Sequence, residues 1–480
     1  SIRRDDWVLF VGAGAVLERG AVSAAVSGGE QQSADLVYGD SVHFDAVTPY
    51  HYVHQLRPGW SPARLLSHCY TGSVVAAKAD VVSKAGGAAE LRRMSDHGRA
   101  LVLSEHASHP VHVDAVLYRS RVSASMPPVD EHAVRRHLDR RGIAAETTVA
   151  HGSVIVSHRP AARRRVAVIV PTRGARSSVD GAEQLLAANA CRHLLETAGD
   201  VDLEILLVID ESTPDDARLE MTAAAGGKVT VLDFAGPFNF ASKINLGAVH
   251  TDADFLLLVN DDTEPVTPRL VEQLVGCLED PDVAAVSPLL LFEDGTVQSA
   301  GHLLNPSPMD LYRGYPVEHR AGWGMFGATR EVSSLIAAFL LVRREDFLAV
   351  GGMCESFPGD YNDVDFALKL SALGRRLIIA PHLLCRHFES KTRVPGLDPS
   401  SISLLHERWA HVVARDPLGH RFLQPHEFIW KSNEDTRPSL DAAVGRDVAW
   451  NRGEWDQLQT LDDKHLHRTR YLPRWIEERS

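Results

Sequence analysis

Apolar and polar positions divide the chain near residue 165. His158-Arg-Pro-Ala-Ala-Arg-Arg-Arg165 is polar and breaks any hydrophobic period. Val166-Ala-Val-Ile-Val170 then runs apolar without alternation, the pattern of a strand buried on both faces, and Pro171 ends it. Leu203-Glu-Ile-Leu-Leu-Val-Ile209 predicts a second buried strand, Lys228-Val-Thr-Val-Leu232 a shorter third and Phe255-Leu-Leu-Leu-Val259 a fourth, with a helix over 241–249. Strands alternating with helical stretches predict an α/β fold with a doubly wound, mostly parallel sheet. Ligands of such sheets bind beyond the carboxyl ends of the strands.

Polar clusters stand at those ends. Pro171-Thr-Arg-Gly174 follows the first strand, Asp210-Glu-Ser-Thr213 the second and Asn260-Asp261-Asp262-Thr-Glu264 the fourth. Each alone reads equally as a turn or helix cap. Together they converge, because loops at one sheet edge share one site. Asp261 and Asp262 repel one another unless a cation or donors neutralise them. Hard divalent ions, Mn²⁺ or Mg²⁺, favour carboxylate oxygen and keep phosphates as further ligands. The alternative at this point is a cap for a helix starting near Pro268.

A second acidic cluster, Asp360-Tyr-Asn-Asp363-Val-Asp365, precedes a helix-like Phe366–Leu373 stretch. It reads as helix caps or as a general base taking a proton from an acceptor hydroxyl. Leu377-Ile-Ile379 predicts a further strand, followed by Leu384-Cys-Arg-His387-Phe-Glu-Ser-Lys-Thr-Arg393. Its histidine and three cations suit a metal shell and a diphosphate.

Composition narrows the setting. The 480 residues imply two or three domains. The net charge of −13 argues against nucleic acid as a partner. Five scattered cysteines without a Cys-x-x-Cys pair point to a reducing cytoplasm rather than to disulfides. No apolar run approaches the roughly 18 residues of a membrane span. Peripheral contact with the inner membrane face stays open, as does homo-oligomerisation. Asp5-Asp6 interrupts a faint signal-peptide pattern, so Trp7–Val16 reads as a short buried strand. The absence of an initiator Met reads as a processing boundary or as the edge of an expressed fragment.

Residues 166–417 resemble the family 2 glycosyltransferases of the GT-A fold, especially bacterial O-antigen and rhamnan-type members with tandem domains. The resemblance rests on collinear blocks. Val166–Arg173 is similar to the opening strand and nucleotide-binding turn, and Gly236–Ala248 to the second block. Asn260-Asp-Asp262 stands at the metal-binding acidic motif. Asp294–Gly301 and Leu341–Gly352 continue the match, and Tyr361-Asn-Asp-Val-Asp-Phe366 stands where the family keeps its base. The resemblance implies a metal-dependent, inverting transfer from a UDP-, dTDP- or GDP-linked sugar to a glycan, glycolipid or protein acceptor. It implies that Pro171, Thr172, Arg173, Asp210, Lys243, Asn245 and Asp261 bind the donor. Asp261, Asp262 and His387 would hold the metal, and Asp363 would be the base. The sequence departs from the family pattern in reading Asn-Asp before the base and Arg-His-Phe-Glu-Ser around His387.

The first half echoes the second. Trp7–Val11 aligns with Phe255–Val259, which sets Gly12, Ala13 and Gly14 against Asn260, Asp261 and Asp262. Val74–Gly87 echoes the stretch ending at Gly352, and Leu117-Tyr-Arg119 echoes Leu384-Cys-Arg386. Tyr38-Gly-Asp40 and Pro58-Gly-Trp-Ser-Pro62 resemble the N-terminal domain of tandem members. The expected organisation is a degenerate, inactive GT-A-like domain over 1–125, a helix and linker over 126–165, the catalytic domain over 166–420 and a helical tail over 421–480. The alternatives are an inactive scaffold in a glycan-assembly complex and a nucleotidyltransferase. Pro171-Thr-Arg-Gly-Ala-Arg176 is a poor triphosphate loop for the latter.

Overall fold

The structure, a computed structural model, describes residues 3–44, 52–121, 129–304, 308–310, 312–317, 327–388, 398–414, 416–420, 423–426 and 429–432. Six strands of the first half, β1 (Trp7–Val11), β2 (Ala15–Leu17), β3 (Leu36–Phe44), β4 (Tyr52–Gln55), β5 (Val74–Lys78) and β6 (Pro110–Ser120), form one sheet. Its order is β1-β5-β3-β6-β2, with β4 on β3. Helices α1 (Ala21–Gln31), α2 (Pro62–Ser67), α3 (Ala79–Lys84), α4 (Ala88–Leu91) and α5 (Asp96–Ser104) connect the strands. Alternation along the strands feeds two cores, Tyr38, Val75 and Ala77 facing one way and Val37, Val74 and Ala76 the other.

The predicted linker is more ordered than its sequence implies. Helix α6 (Glu131–Arg141) is capped by Asp130, which accepts from the Ala133 N–H at 2.9 Å. A hairpin of β7 (Ala145–Ala150) and β8 (Ser153–His158) follows. Its two-residue turn holds His151 and Gly152 at positive φ, 51° and 72°. Turns of that kind usually carry Asn-Gly or Asp-Gly, so the usual signal is missing. Val154 and Val156 pack into the first-half core.

The second half contains β9 (Arg165–Thr172), β10 (Arg176–Val179), β11 (Ala182–Leu185), β12 (Asp202–Asp210), β13 (Val229–Phe234), β14 (Phe255–Val259), β15 (Thr263–Pro265), β16 (Val283–Leu291), β17 (Val297–Ser299), β18 (His302–Leu303), β19 (Met309–Asp310), β20 (Arg330–Glu331), β21 (Phe339–Arg343) and β22 (Arg376–His387). Its helices are α7 (Leu186–Thr197), α8 (Asp215–Ala225), α9 (Phe240–Val249), α10 (Leu270–Cys277), α11 (Arg344–Ala349), α12 (Asn362–Ala372) and α13 (Pro399–Val413). The main sheet runs β13-β12-β9-β14-β21-β16-β22-β15, with β17 on β16 and β20 on β22. The first four strands are parallel, and β21 runs against both β14 and β16. Val166, Val168 and Val170 face the layer of α7 and α10, while Ala167 and Ile169 face α9 and α12. Helices on both faces explain why these strands are apolar without alternation.

Two sequence expectations need correction. The predicted strand at 377–379 extends to His387. The Pro381-His382 interruption is absorbed by a register shift between Pro288 and Leu289 on β16. Within the predicted helical tail, β23 (Leu423–His426) and β24 (Ile429–Ser432) form a hairpin instead. Pro425 is incompatible with a helix interior there. Residues 433–480 lie outside the described residues.

The two halves share a plan. The path β1-β5-β3-β6-β2 repeats β14-β21-β16-β22-β15, with the same relative strand directions. Trp7 pairs with Lys78 where Phe255 pairs with Arg343, and Ala15 pairs with Ser120 where Thr263 pairs with His387. Among the described residues, the first-half sheet has no strands corresponding to β9, β12 and β13. The halves dock through the start of α2. Ser61 Oγ meets the Glu331 carboxylate, which also accepts from the Ala63 N–H at 3.2 Å and pairs with Arg376 at 2.7 Å.

Candidate active site

The carboxyl ends of β9, β12 and β14 meet through side chains. Thr172 Oγ1 donates to Asp261 Oδ2 at 2.6 Å, so the end of β9 holds the turn after β14. The same oxygen accepts from the Gly174 N–H at 3.0 Å and shapes the loop that carries Arg173. Lys243 of α9 is buried. Its ammonium donates to the Thr172 carbonyl at 3.0 Å and pairs with Asp210 at the end of β12. This lysine therefore fixes two strand ends. Pro171 stands inside β9 opposite Val208. The β14 ladder on β9 stops at Ile169, so its missing N–H costs that ladder no bond.

Asn245 sits apart from this group. Two positions after Lys243, it faces another side of α9. Its side chain exchanges hydrogen bonds with the Met353 main chain, both at 2.9 Å, and donates to Glu355. It thus ties α9 to the Gly351-Gly352 loop.

The turn Asn260-Asp261-Asp262 lies between β14 and β15. It caps no helix, because α10 begins only at Leu270 and its cap position is Arg269. That removes the capping alternative. β15 lies antiparallel to β22 with Thr263 opposite His387. The register brings His387 Nε2 within 3.1 Å of Asp262 Oδ1 and 3.2 Å of Asn260 Nδ2. Gln298 of β17 holds the other ring nitrogen at 2.7 Å and donates to the His387 carbonyl at 3.3 Å. Burial, then the neighbouring Asp262, push the Asp261 carboxyl up to about 7 against Thr172, Lys243 and Arg173. Two adjacent carboxylates that resist joint ionisation, one of them beside a histidine fixed by a side-chain amide, are candidate ligands for a divalent cation. Lys391 and Arg393 lie outside the described residues. Arg386 pairs with Asp180 at 2.9 Å and also with Glu264.

Asp363 stands in the first turn of α12. Its carboxylate accepts from the Val364 N–H at 2.8 Å and the Ala337 N–H at 3.4 Å. One residue along, the Ala338 carbonyl accepts from the Asn260 N–H at 2.8 Å. The dipeptide before β21 thus links Asp363 to the acidic turn. Burial raises the Asp363 pKa, opposed by His302 and by the two N–H donors. His302 Nδ1 lies 3.0 Å from Ser334 Oγ, and Nε2 lies 3.3 Å from Asp310. Burial works against a His302 cation, but Asp310 and Asp363 more than offset it and raise the imidazole pKa. Asp365 is different: it is buried and accepts from Arg408 at 2.7 Å and Trp409 at 2.8 Å, joining α12 to α13.

The structure therefore gathers Thr172, Asp210, Lys243, Asp261, Asp262 and His387 into one bonded network, with Asp363 one strand end away. Arg173 is exposed on the same loop. Gln298, His302 and Asp310 are additions. Gln298 lies inside the Asp294–Gly301 block and His302 follows it directly, so the block itself was the available signal. Asp310 is joined to His302 only by pairing of β18 with β19.

The first-half counterpart of the site differs at each candidate metal position. Gly12, Ala13 and Gly14 occupy the β1–β2 turn that corresponds to Asn260-Asp261-Asp262, and Ser120 occupies the place of His387. A Cβ at Gly12 would lie 2.6 Å from Asp96 Oδ2 and 2.7 Å from Ser73 Cβ, so a side chain at the position of Asn260 is excluded there, while Ala13 and Gly14 are exposed.

Residues 168–338 match the sequence model described as glycosyl transferase family 2. The chain is 27% identical to the O-antigen biosynthesis protein RfbC of Myxococcus xanthus over 96% of its own length and 37% of that protein. It is 30% identical to the uncharacterized protein y4gI of Sinorhizobium fredii over 39% of its length and 21% of that protein. The chain thus spans about a third or less of either relative. A solved structure of GalNAc-T7 with UDP, GalNAc and Mn²⁺ aligns at a TM-score of 0.38 and 14% identity, covering 52% of this chain and 50% of that one. The matched family model and the parallel strands of the sheet thus identify residues 168–338 as a glycosyl transferase family 2 region on a sheet of the GT-A type.

Proposed function

We propose that the chain transfers a sugar from a nucleoside-diphosphate donor to a hydroxyl acceptor in one inverting displacement, at the edge formed by β9, β12, β14 and β22. The observation that carries this reading is the approach of His387 to Asp262 beside Asp261, whose carboxyl is pushed up to about 7 by burial and its acidic neighbour. Asp261, Asp262 and His387 would hold Mn²⁺ or Mg²⁺. Such an ion supplies positive charge to the leaving diphosphate.

The remaining steps belong to the protein's own residues. Asp210, Thr172 and Arg173 line the donor edge, with Lys243 keeping Asp210 and the end of β9 in place. Asp363 accepts the proton of the acceptor hydroxyl as its oxygen bonds to the anomeric carbon and the bond to the diphosphate breaks. His302, held by Ser334 and Asp310, keeps positive charge near Asp363 and limits the rise in its pKa. The first half has no such set at its corresponding turn, and we read it as an inactive relative of the same sheet that supports the catalytic half.

The test is turnover of nucleotide sugars by the wild type and by Asp262→Ala and Asp363→Asn, each with and without Mn²⁺. Metal-dependent transfer or hydrolysis in the wild type, lost in both variants, is expected. Binding of a glycan by the wild type without turnover of any donor would favour the scaffold reading instead.

A further inference from the structure

A cluster of metal-ligating side chains lies away from the proposed catalytic edge, where a segment of the second half crosses the β3–β6 pair. Asp40 of β3, His112 of β6 and His420 of the segment after α13 each offer a ligand atom within 4.8 Å of the others. His112 Nε2 lies 2.9 Å from Asp40 Oδ1, and His420 Nε2 lies 3.0 Å from Asp40 Oδ2. All three side chains are buried, at 7% exposure or less. Ligands of a tetrahedral zinc ion, with bonds of about 2.0–2.1 Å, stand about 3.3 Å apart. The separations here need only a small outward movement to admit one.

The backbone builds this cluster at an irregularity. The β3–β6 register shifts at Gly39, Asp40 and Ser41, and Asp40 pairs with Val116 rather than with Asp114. The extra residues of β6 re-aim side chains, as bulges do. Asp114 comes within 3.4 Å of His112 Nδ1 and 3.6 Å of His420 Nε2. A carboxylate on the second nitrogen of a histidine is the usual outer partner of a metal-bound imidazole. The Arg57 N–H also donates to Asp40 Oδ1 at 2.9 Å and helps hold the carboxylate in place. Two carboxylates and two neutral imidazoles balance one divalent charge.

We propose that Asp40, His112 and His420 bind a zinc ion, with Asp114 as the outer partner of His112. Nitrogen-rich ligation separates this site from the oxygen-dominated catalytic one and selects zinc over Mn²⁺ or Mg²⁺. The site is a staple. His420 arrives from the catalytic half, where Asp416 accepts from Ser333 Oγ at 2.6 Å and the Leu304 N–H at 3.1 Å. The intervening Pro417 carbonyl presses on Gly59, where a Cβ would lie 2.4 Å away. Zinc would lock that crossing segment to the β3–β6 pair.

The experiment measures metal content by mass spectrometry in the full chain produced with zinc and dialysed against a weak chelator. The wild type and His387→Ala should each retain about one zinc per chain, and His420→Gln and Asp40→Asn should lose it. Zinc should raise the Tm of the stripped wild type. Co²⁺ in its place should give the visible absorption of a low-coordinate site, a readout that needs no variant to fold. A wild type that keeps no zinc, with a Tm indifferent to zinc, would overturn the proposal and leave a proton-bridged ion-pair network. Zinc kept in His420→Gln but lost in His387→Ala would also overturn it, by assigning the ion to the catalytic edge.

Discussion

Asp363 and His302 form the pair whose chemistry is most exposed to test. A carboxylate must be ionised to take a proton, and burial raises the Asp363 pKa. The kcat/KM profile should therefore fall on its acid side at a pH above the ordinary aspartate range. His302 opposes that rise. Substituting His302→Gln should move the acid limb to higher pH, while a merely structural role would lower the rate at all pH values alike. Asp363→Asn should reduce kcat by about 10² to 10⁴, the usual contribution of a general base. At the metal edge, His387→Ala should weaken Mn²⁺ dependence, read as a higher concentration for half-maximal activity. Gln298→Ala should do the same less strongly, since it acts through the orientation of His387.

Among the elements, the loop joining α11 to α12 shows how backbone geometry positions a helix. Gly352 adopts φ 70°, and a Cβ there would lie 2.5 Å from Asn245 Oδ1. Gly352→Ala should cost at least about 1–2 kcal/mol from the left-handed backbone alone, measured by urea unfolding. The buried strands β9, β12 and β14 were legible because continuous apolar runs have one comfortable place in a doubly wound sheet, and α9 because of its helical spacing. Asp261 and Asp262 were legible as residues after such a strand. The hairpin of β7 and β8 was not, because His151-Gly152 takes a turn that other residues usually signal. The partnership of Asp262 with His387 depends on the β15–β22 register, and that of His302 with Asp310 on β18–β19, neither of which local sequence encodes. Lys243 and Asn245 show the limit of reading roles from a motif. They stand two residues apart, yet one binds the strand ends and the other the Gly352 loop.

Across the whole molecule, one sheet plan is used twice and only one copy carries acids at its β-turn. The order and register repeat, but Gly12-Ala13-Gly14 replaces Asn260-Asp261-Asp262, so the first-half turn carries no acids. Glu331 joins the halves as a buried carboxylate shared by Ser61, Ala63 and Arg376. Glu331→Ala should lower stability by about 3 kcal/mol and make the first half more sensitive to protease, because it strands buried donors.

The proposed function stands on Asp261, Asp262 and His387 making a cation-dependent site for a nucleoside-diphosphate sugar. Its most direct measurement is a thermal-shift screen of UDP-, dTDP- and GDP-linked sugars against the wild type and Asp262→Ala, with and without Mn²⁺. A ligand that binds only the folded chain raises Tm by mass action. Stabilisation of the wild type by at least one donor is expected when Mn²⁺ is present, and none in Asp262→Ala. An unchanged Tm with every donor, with and without Mn²⁺, would contradict it.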